Sequence, residues 1–170
     1  TIYILDAHEI GLRRSSFNSK KEYQSYCIHK MIKASLGSYK VYHDNDGAPY
    51  LKELKSIEIS ISHSDNYFAL YCSSKGAIGV DIQVRTKDLR SHADYFLNNT
   101  ELHQDWSNDQ LYIIWGVKEV LYKMLKGKVS NIYDKTTIYE IKKPHIRLKY
   151  LEQEYQITSF MHESFVLVFN

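Results

Sequence analysis

The chain has 170 residues, of which 44% are hydrophobic and 25% are charged, and this is typical of one globular domain or two small fused halves. The longest apolar runs, such as 165–169, are too short to cross a bilayer, and the two cysteines are not closely paired, which favours a reducing compartment. A net charge of +2 excludes a general polyanion binder, so we expect no binding to nucleic acid. Together these features lead us to expect a cytoplasmic protein that does not bind a membrane.

Hydrophobic spacing in the first half of the chain predicts one helix and several short strands. Apolar residues recur at helical intervals after Glu22, and Gly37 is a natural stop, so we expect a helix over 20–36. A strand is expected at 2–5, and a turn at 44–47, where Asp, Asn and Gly cluster. The remaining pattern predicts three strands that pair as an antiparallel meander, at 57–61, 67–72 and 77–82.

The second half is expected to contain helices followed by strands. A helical pattern begins after Arg85 and continues to about 98. A longer helix is predicted over 107–126, with Ser107 as a candidate N-cap and Gly127 just after its end. Alternation predicts three further stretches of strand, at 139–141, 146–150 and 155–169. This order predicts an α+β fold in a single domain, 1–170. Two stacked pseudo-symmetric halves, 1–76 and 77–170, would each pack a helix on a small antiparallel three-stranded sheet.

Three short motifs occur in the central part of the chain. They are ISISHS at 59–64, IGVDIQ at 78–83 and WGVKEVLYK at 115–123. Together with DGAPY at 46–50 they resemble the phosphopantetheinyl transferase family, whose marks are a Ser-His strand end, a G-V-D-[IV]-E strand and a W-x-x-K-E-x-x-x-K helix. The resemblance covers about residues 40–130. It implies the phosphopantetheinyl transferase-like fold, in the long, pseudo-dimeric monomeric form with a shortened N-terminal half.

The geometry of these motifs is compatible with a metal site. Side chains alternate along a strand, so Asp81 and Gln83 share one face, while Glu119 and Lys123 are one turn apart on the helix. If this helix packs against the strands, Glu119 can face Asp81, and two carboxylates with a diphosphate suit Mg²⁺. Taken singly, the Glu119 and Lys123 pair is more typical of a solvated ion pair, and His63 of a turn cap.

The resemblance implies Mg²⁺-dependent transfer of the phosphopantetheine arm of coenzyme A to a serine of a carrier protein. The metal ligands that it implies are Asp81, Glu119 and Gln83. The catalytic residues that it implies are Asp81, Lys123 and Glu119, the last of which would accept the serine proton. The coenzyme A contacts that it implies are Ser62, His63, Lys118 and Lys123. Gln83 replaces the family's usual glutamate, so the metal would be held by one fewer anion or through a water.

The expected partners are coenzyme A and an acidic acyl- or peptidyl-carrier protein, and the protein is expected to be a monomer. The basic residues that could steer the carrier are Lys75, Arg85, Lys87, Lys126 and Lys128. The candidates for the ribose phosphate are Arg13, Arg14, Lys30 and Lys33.

Three other functions are compatible with the sequence. In a non-catalytic coenzyme A or nucleotide-binding module, Gln83 would signal lost metal chemistry. A nucleic-acid-binding α+β domain that uses Lys and Tyr is disfavoured by the near-neutral net charge. A metal-dependent phosphohydrolase would release free phosphate and would need no carrier protein.

Overall fold

The computed structural model describes residues 1–170 and contains 28% helix and 34% strand. Three α-helices, numbered α1 to α3, span Lys20–Ser35, Asn108–Met124 and Ile132–Lys135. Ten strands, numbered β1 to β10, span Ile2–Asp6, Val41–His43, Pro49–Leu51, Glu58–Ser64, Tyr67–Ser73, Val80–Val84, Thr136–Lys142, His145–Tyr150, Gln153–Met161 and Phe165–Phe169. This mixture of helix and antiparallel sheet is compatible with the predicted α+β class. None of the helices has the length and apolar character needed to cross a membrane.

The strands form two antiparallel sheets of five strands each. The sequence pattern predicted only three strands in each sheet. The N-terminal sheet has the order β1-β5-β4-β3-β2, and the C-terminal sheet has the order β6-β10-β9-β8-β7. The predicted meander is also wrong in one pairing. β5 pairs with β4 as expected, but its other neighbour is β1, with Ile4 opposite Ala69, whereas β6 pairs with β10.

Each sheet packs against one long helix. α1 contacts β1 and β5 and buries Tyr23, Cys27 and Ile32 against the N-terminal sheet. α2 packs on β6 and β10 and contributes most of its length to the largest apolar cluster. The predicted N-terminal cap of α2 forms, because Ser107 and Gln110 make a reciprocal capping box, while the C-terminal cap is Leu125, two residues before Gly127. The helix predicted from Arg85 to about 98 is limited to a 3-10 helix at Leu89–Tyr95.

The two sheets meet through a row of serine hydroxyls. Ser60, Ser62 and Ser64 lie on one face of β4 and accept hydrogen bonds from alternate backbone N–H groups of β6, at 3.1, 3.2 and 3.1 Å. β6 is an edge strand of its own sheet, so these hydroxyls satisfy N–H groups that would otherwise be buried without a partner. The alternating serines of the first motif therefore join the two sheets.

We expect Ser62→Ala to lower the free energy of unfolding by about 1–3 kcal/mol, because the N–H of Ile82 loses its acceptor inside the protein. Urea denaturation measures this change. Ser74→Ala is the matched control, since Ser74 is exposed, and its expected effect is within about 0.5 kcal/mol. Equal stability of the two variants would contradict a stabilising role for the serine row.

Candidate functional site

One large cleft, with a volume of about 890 Å³, lies between α1, β4 and the C-terminal end of α2. The face of β4 opposite the serine row lines it with Ile59, Ile61 and His63, since side chains alternate along the strand. α2 contributes Glu119, Lys123 and neighbouring residues of its last turns. Residues of the first and third sequence motifs therefore share one cleft.

The walls of the cleft carry more basic than acidic side chains. The lysines are Lys21, Lys40, Lys123 and Lys126. The carboxylates are Asp46, Glu58 and Glu119. Lys126 pairs with Glu58 at 3.3 Å, and both residues line the cleft. None of the predicted ribose-phosphate candidates, Arg13, Arg14, Lys30 and Lys33, lines the cleft. Lys21 and Lys40 do, and no motif in the sequence distinguishes them.

Two glycines allow α2 to approach β6 closely. A Cβ atom on Gly116 would lie 2.6 Å from Cγ2 of Val168 and 3.7 Å from Oδ2 of Asp81. A Cβ atom on Gly79 would clash with the backbone carbonyl of Val120. A side chain at Gly79 would require the helix backbone to move, and one at Gly116 would require the Val168 side chain of β10 to move. The Asp81 carboxylate therefore lies against the stretch of α2 that carries Glu119.

Asp81 is nearly completely buried, at 3% exposure, and both of its carboxylate oxygens have donors. Oδ1 accepts hydrogen bonds from Oγ of Ser62 at 2.9 Å and Nζ of Lys123 at 3.0 Å. Oδ2 accepts one from Nε2 of Gln83 at 2.8 Å. The Lys123 ammonium also donates to the carbonyl of Val80 at 2.7 Å. Lys123 lines the cleft, so Asp81 lies one side chain behind the cleft wall.

Glu119 faces the cleft and is held by a tyrosine that the sequence did not single out. The hydroxyl of Tyr133 donates to Oε1 of Glu119 at 2.7 Å. Burial raises the pKa of Tyr133, and the hydrogen bond to Glu119 raises it further, so the phenol stays protonated and remains a donor. The negative charges of Glu119 and Asp81 also raise the pKa of Tyr133.

His63 projects into the cleft, where its ring packs near Phe68 at a centroid distance of 5.7 Å. Burial lowers the pKa of His63, and the nearby charges of Lys123 and Lys20 lower it further. The imidazole is therefore neutral at pH 7. Nδ1 of His63 lies 3.4 Å from the side-chain amide nitrogen of Gln24. When this amide donates to Nδ1, the proton of the neutral imidazole is on Nε2 of His63, which can then donate to a ligand.

Ser62 and Lys118 do not line the cleft, and the structure places both side chains in buried hydrogen-bond networks instead. Their contacts with coenzyme A stay predictions. Ser62 is buried, and its hydroxyl proton is donated to Asp81. Lys118 is fully buried and pairs with Oε2 of Glu101 at 2.5 Å. Its Nζ also donates to the carbonyls of Phe96 and Tyr133, so no N–H remains for a phosphate. Burial lowers the pKa of Lys118, while the Glu101 carboxylate opposes that shift.

The donor set fits Mg²⁺ only with help from a substrate. No cluster of three or more His, Cys, Asp and Glu side chains suited to a metal ion is present. The available donors are the carboxylates of Asp81 and Glu119 and the amide of Gln83. Mg²⁺ is commonly held by one or two carboxylates together with substrate phosphates, so these side chains could hold it only beside a diphosphate. Lys123 would have to leave Oδ1 of Asp81 for that oxygen to bind a metal.

The chain gave no match in a scan against protein-family models, and none in a search of curated proteins. A functional assignment therefore depends on the motifs and on the geometry of the cleft.

Proposed function

We propose that this protein is a phosphopantetheinyl transferase, which moves the phosphopantetheine arm of coenzyme A onto a serine of an acyl- or peptidyl-carrier protein. The observation that carries the proposal is the approach of α2 to β6 at Gly116, because it brings Asp81 of the second motif next to the helix of the third. Two sheets, each covered by one long helix, are also compatible with the two-halved architecture of that family.

The cleft has suitable walls for an anionic, extended co-substrate. Its volume of about 890 Å³ is at the upper end of the range for small-molecule and cofactor sites. Lysines line it at several points, and His63 offers a neutral donor. A phosphate-bearing molecule would replace the weak pairing of Lys126 with Glu58 by stronger charge-assisted contacts.

In the proposed reaction, the serine oxygen attacks the β-phosphorus of coenzyme A, and the bond from that phosphorus to the oxygen bridging to the α-phosphorus breaks. Adenosine 3′,5′-bisphosphate leaves with the bond's electron pair. Glu119 accepts the serine proton, either directly or through a water. Lys123, once released from Asp81, stabilises the charge that develops on the leaving group. Mg²⁺, when bound beside Asp81 and Glu119, would neutralise the diphosphate.

The experiment that tests this function is incubation with coenzyme A, Mg²⁺ and a panel of apo carrier proteins, with detection by intact mass. We expect one carrier to gain the mass of a single phosphopantetheine group. Glu119→Gln is expected to abolish this gain, because an amide cannot accept the serine proton. Glu163→Gln, at an exposed position outside the cleft, is the matched control and should transfer normally. No transfer to any carrier would contradict the proposal.

A non-catalytic coenzyme A-binding module is the second candidate, and one observation favours it. Lys123 and Gln83 already satisfy Asp81, so the carboxylate needs no metal for its own stability. Such a module would bind coenzyme A with the same affinity in the presence and absence of Mg²⁺. Calorimetric titrations under both conditions distinguish the two functions, since a transferase is expected to bind more tightly with the metal.

A further inference from the structure

We infer that Tyr133 is a positioning residue of this site, which orients the Glu119 carboxylate through its hydroxyl. The inference deepens the proposed function and rests on it. Tyr133 lies on α3, a helix of four residues outside the three sequence motifs. Its hydroxyl lies 2.7 Å from Oε1 of Glu119, a short distance typical of a bond from a neutral donor to a carboxylate.

Tyr133 is held both at its ring and at its backbone. It stacks on Trp115 at a centroid distance of 6.3 Å and an interplanar angle of 28°, and Trp115 in turn packs edge-to-face on Phe96. The backbone carbonyl of Tyr133 accepts a hydrogen bond from Nζ of Lys118 at 3.0 Å. Lys118 thus holds the backbone of Tyr133, and the side chain of Tyr133 holds Glu119.

This arrangement leaves one oxygen of Glu119 for chemistry. Oε1 is occupied by the phenol, so Oε2 remains to accept a proton or to bind a cation. A half-buried carboxylate without this donor would be free to change rotamer, and its second oxygen would no longer have a single orientation. Partners that orient a ligand side chain in this way typically affect metal affinity or activity by about 10–100-fold.

The test is Tyr133→Phe, which keeps the ring and removes only the hydroxyl. We expect the affinity for Mg²⁺, measured by calorimetry in the presence of coenzyme A, to fall by about 10–100-fold, and kcat for carrier modification to fall in the same range. Tyr112→Phe is the matched control. That hydroxyl is also part-buried and hydrogen-bonded, to the backbone of Lys87, but it lies outside the cleft. Its expected effect on both readouts is less than about 2-fold.

A double-mutant cycle with Glu119→Gln separates positioning from a merely structural role. If Tyr133 acts through the Glu119 carboxylate, adding Tyr133→Phe to Glu119→Gln should change Mg²⁺ affinity by less than about 2-fold. Equal losses in the two backgrounds would overturn the inference, as would wild-type Mg²⁺ affinity in Tyr133→Phe. If the wild-type protein binds Mg²⁺ with coenzyme A but modifies no carrier, the proposed function fails, and the calorimetric cycle still tests Tyr133. Absence of Mg²⁺ binding by the wild type would overturn both.

Discussion

Replacement of Lys118 by methionine is expected to lower the free energy of unfolding by about 3–5 kcal/mol, as measured by urea denaturation. Methionine keeps the unbranched side chain except for its terminal nitrogen, so the change removes the charge and its hydrogen bonds more than the packing. Glu101 would be left as a fully buried carboxylate without its cation. The carbonyls of Phe96 and Tyr133 would also lose their donor. The backbone N–H groups of Asn98 and Ile138 would still donate to Glu101, but its buried charge would have no cation. An uncompensated buried charge and buried carbonyls without a donor are both expensive.

The matched control for this prediction is Lys128→Met. Lys128 also forms an ion pair, with Asp46 at 3.3 Å, but its side chain is 69% exposed. Solvent screens such pairs, so we expect a change of no more than about 1 kcal/mol. A loss in Lys118→Met as small as that in Lys128→Met would show that the buried pair is not needed for stability.

The two long helices could be predicted from the sequence to within two residues at each end. The predicted helix over 20–36 compares with Lys20–Ser35, and the one over 107–126 with Asn108–Met124. Both depend on local signals, namely apolar residues at helical spacing and the caps at either end. Such signals require no knowledge of what the helix packs against.

The pairing of the strands could not be predicted in the same way. Alternation along 77–82 indicates a strand, but it does not identify the neighbour of that strand. β6 joins β10, which lies more than 80 residues later in the chain, whereas β5 uses β1 as its second neighbour. Only four residues, 73–76, separate the strands predicted at 67–72 and 77–82, and this short connection favoured a hairpin that the fold does not form. Long-range pairing depends on the packing of whole sheets, and no local pattern records it.

In the candidate site, too, local patterns could be predicted and long-range contacts could not. The regular spacing of the motifs predicted that the helix with Glu119 faces Asp81. The close approach of α2 to Asp81 at Gly116 is compatible with this prediction. The burial of Lys118 depends on Glu101, which lies in an irregular segment without periodicity. Tyr133 escaped notice because four residues are too few for a helical pattern. An aromatic residue shortly after the motif helix was the only signal, and 15 tyrosines in the chain make it a weak one.

We expect Asp81→Asn to lower the rate of transfer to a carrier protein by at least about 100-fold, as measured by intact mass over time. The substitution keeps the size of the side chain but removes one of the two negative charges available to a cation beside the diphosphate. Loss of several kcal/mol of charge stabilisation in the transition state corresponds to this factor or more. The protein should still fold, because Lys123 is 24% exposed at its side chain, keeps the carbonyl of Val80, and can turn towards the cleft.

Asp88→Asn is the matched control, since Asp88 is exposed and pairs only with Arg90. Its rate of transfer is expected to equal that of the wild type. The same pair of variants also separates the two candidate functions. In a transferase, Asp81→Asn loses both transfer and the Mg²⁺-dependent part of coenzyme A affinity. In a binding module, Asp81→Asn binds coenzyme A at least as tightly as the wild type and still without dependence on Mg²⁺, because the substitution leaves the Lys123 ammonium without its carboxylate and free to face the anionic ligand. Wild-type transfer by a folded Asp81→Asn variant would remove this residue from the proposed reaction.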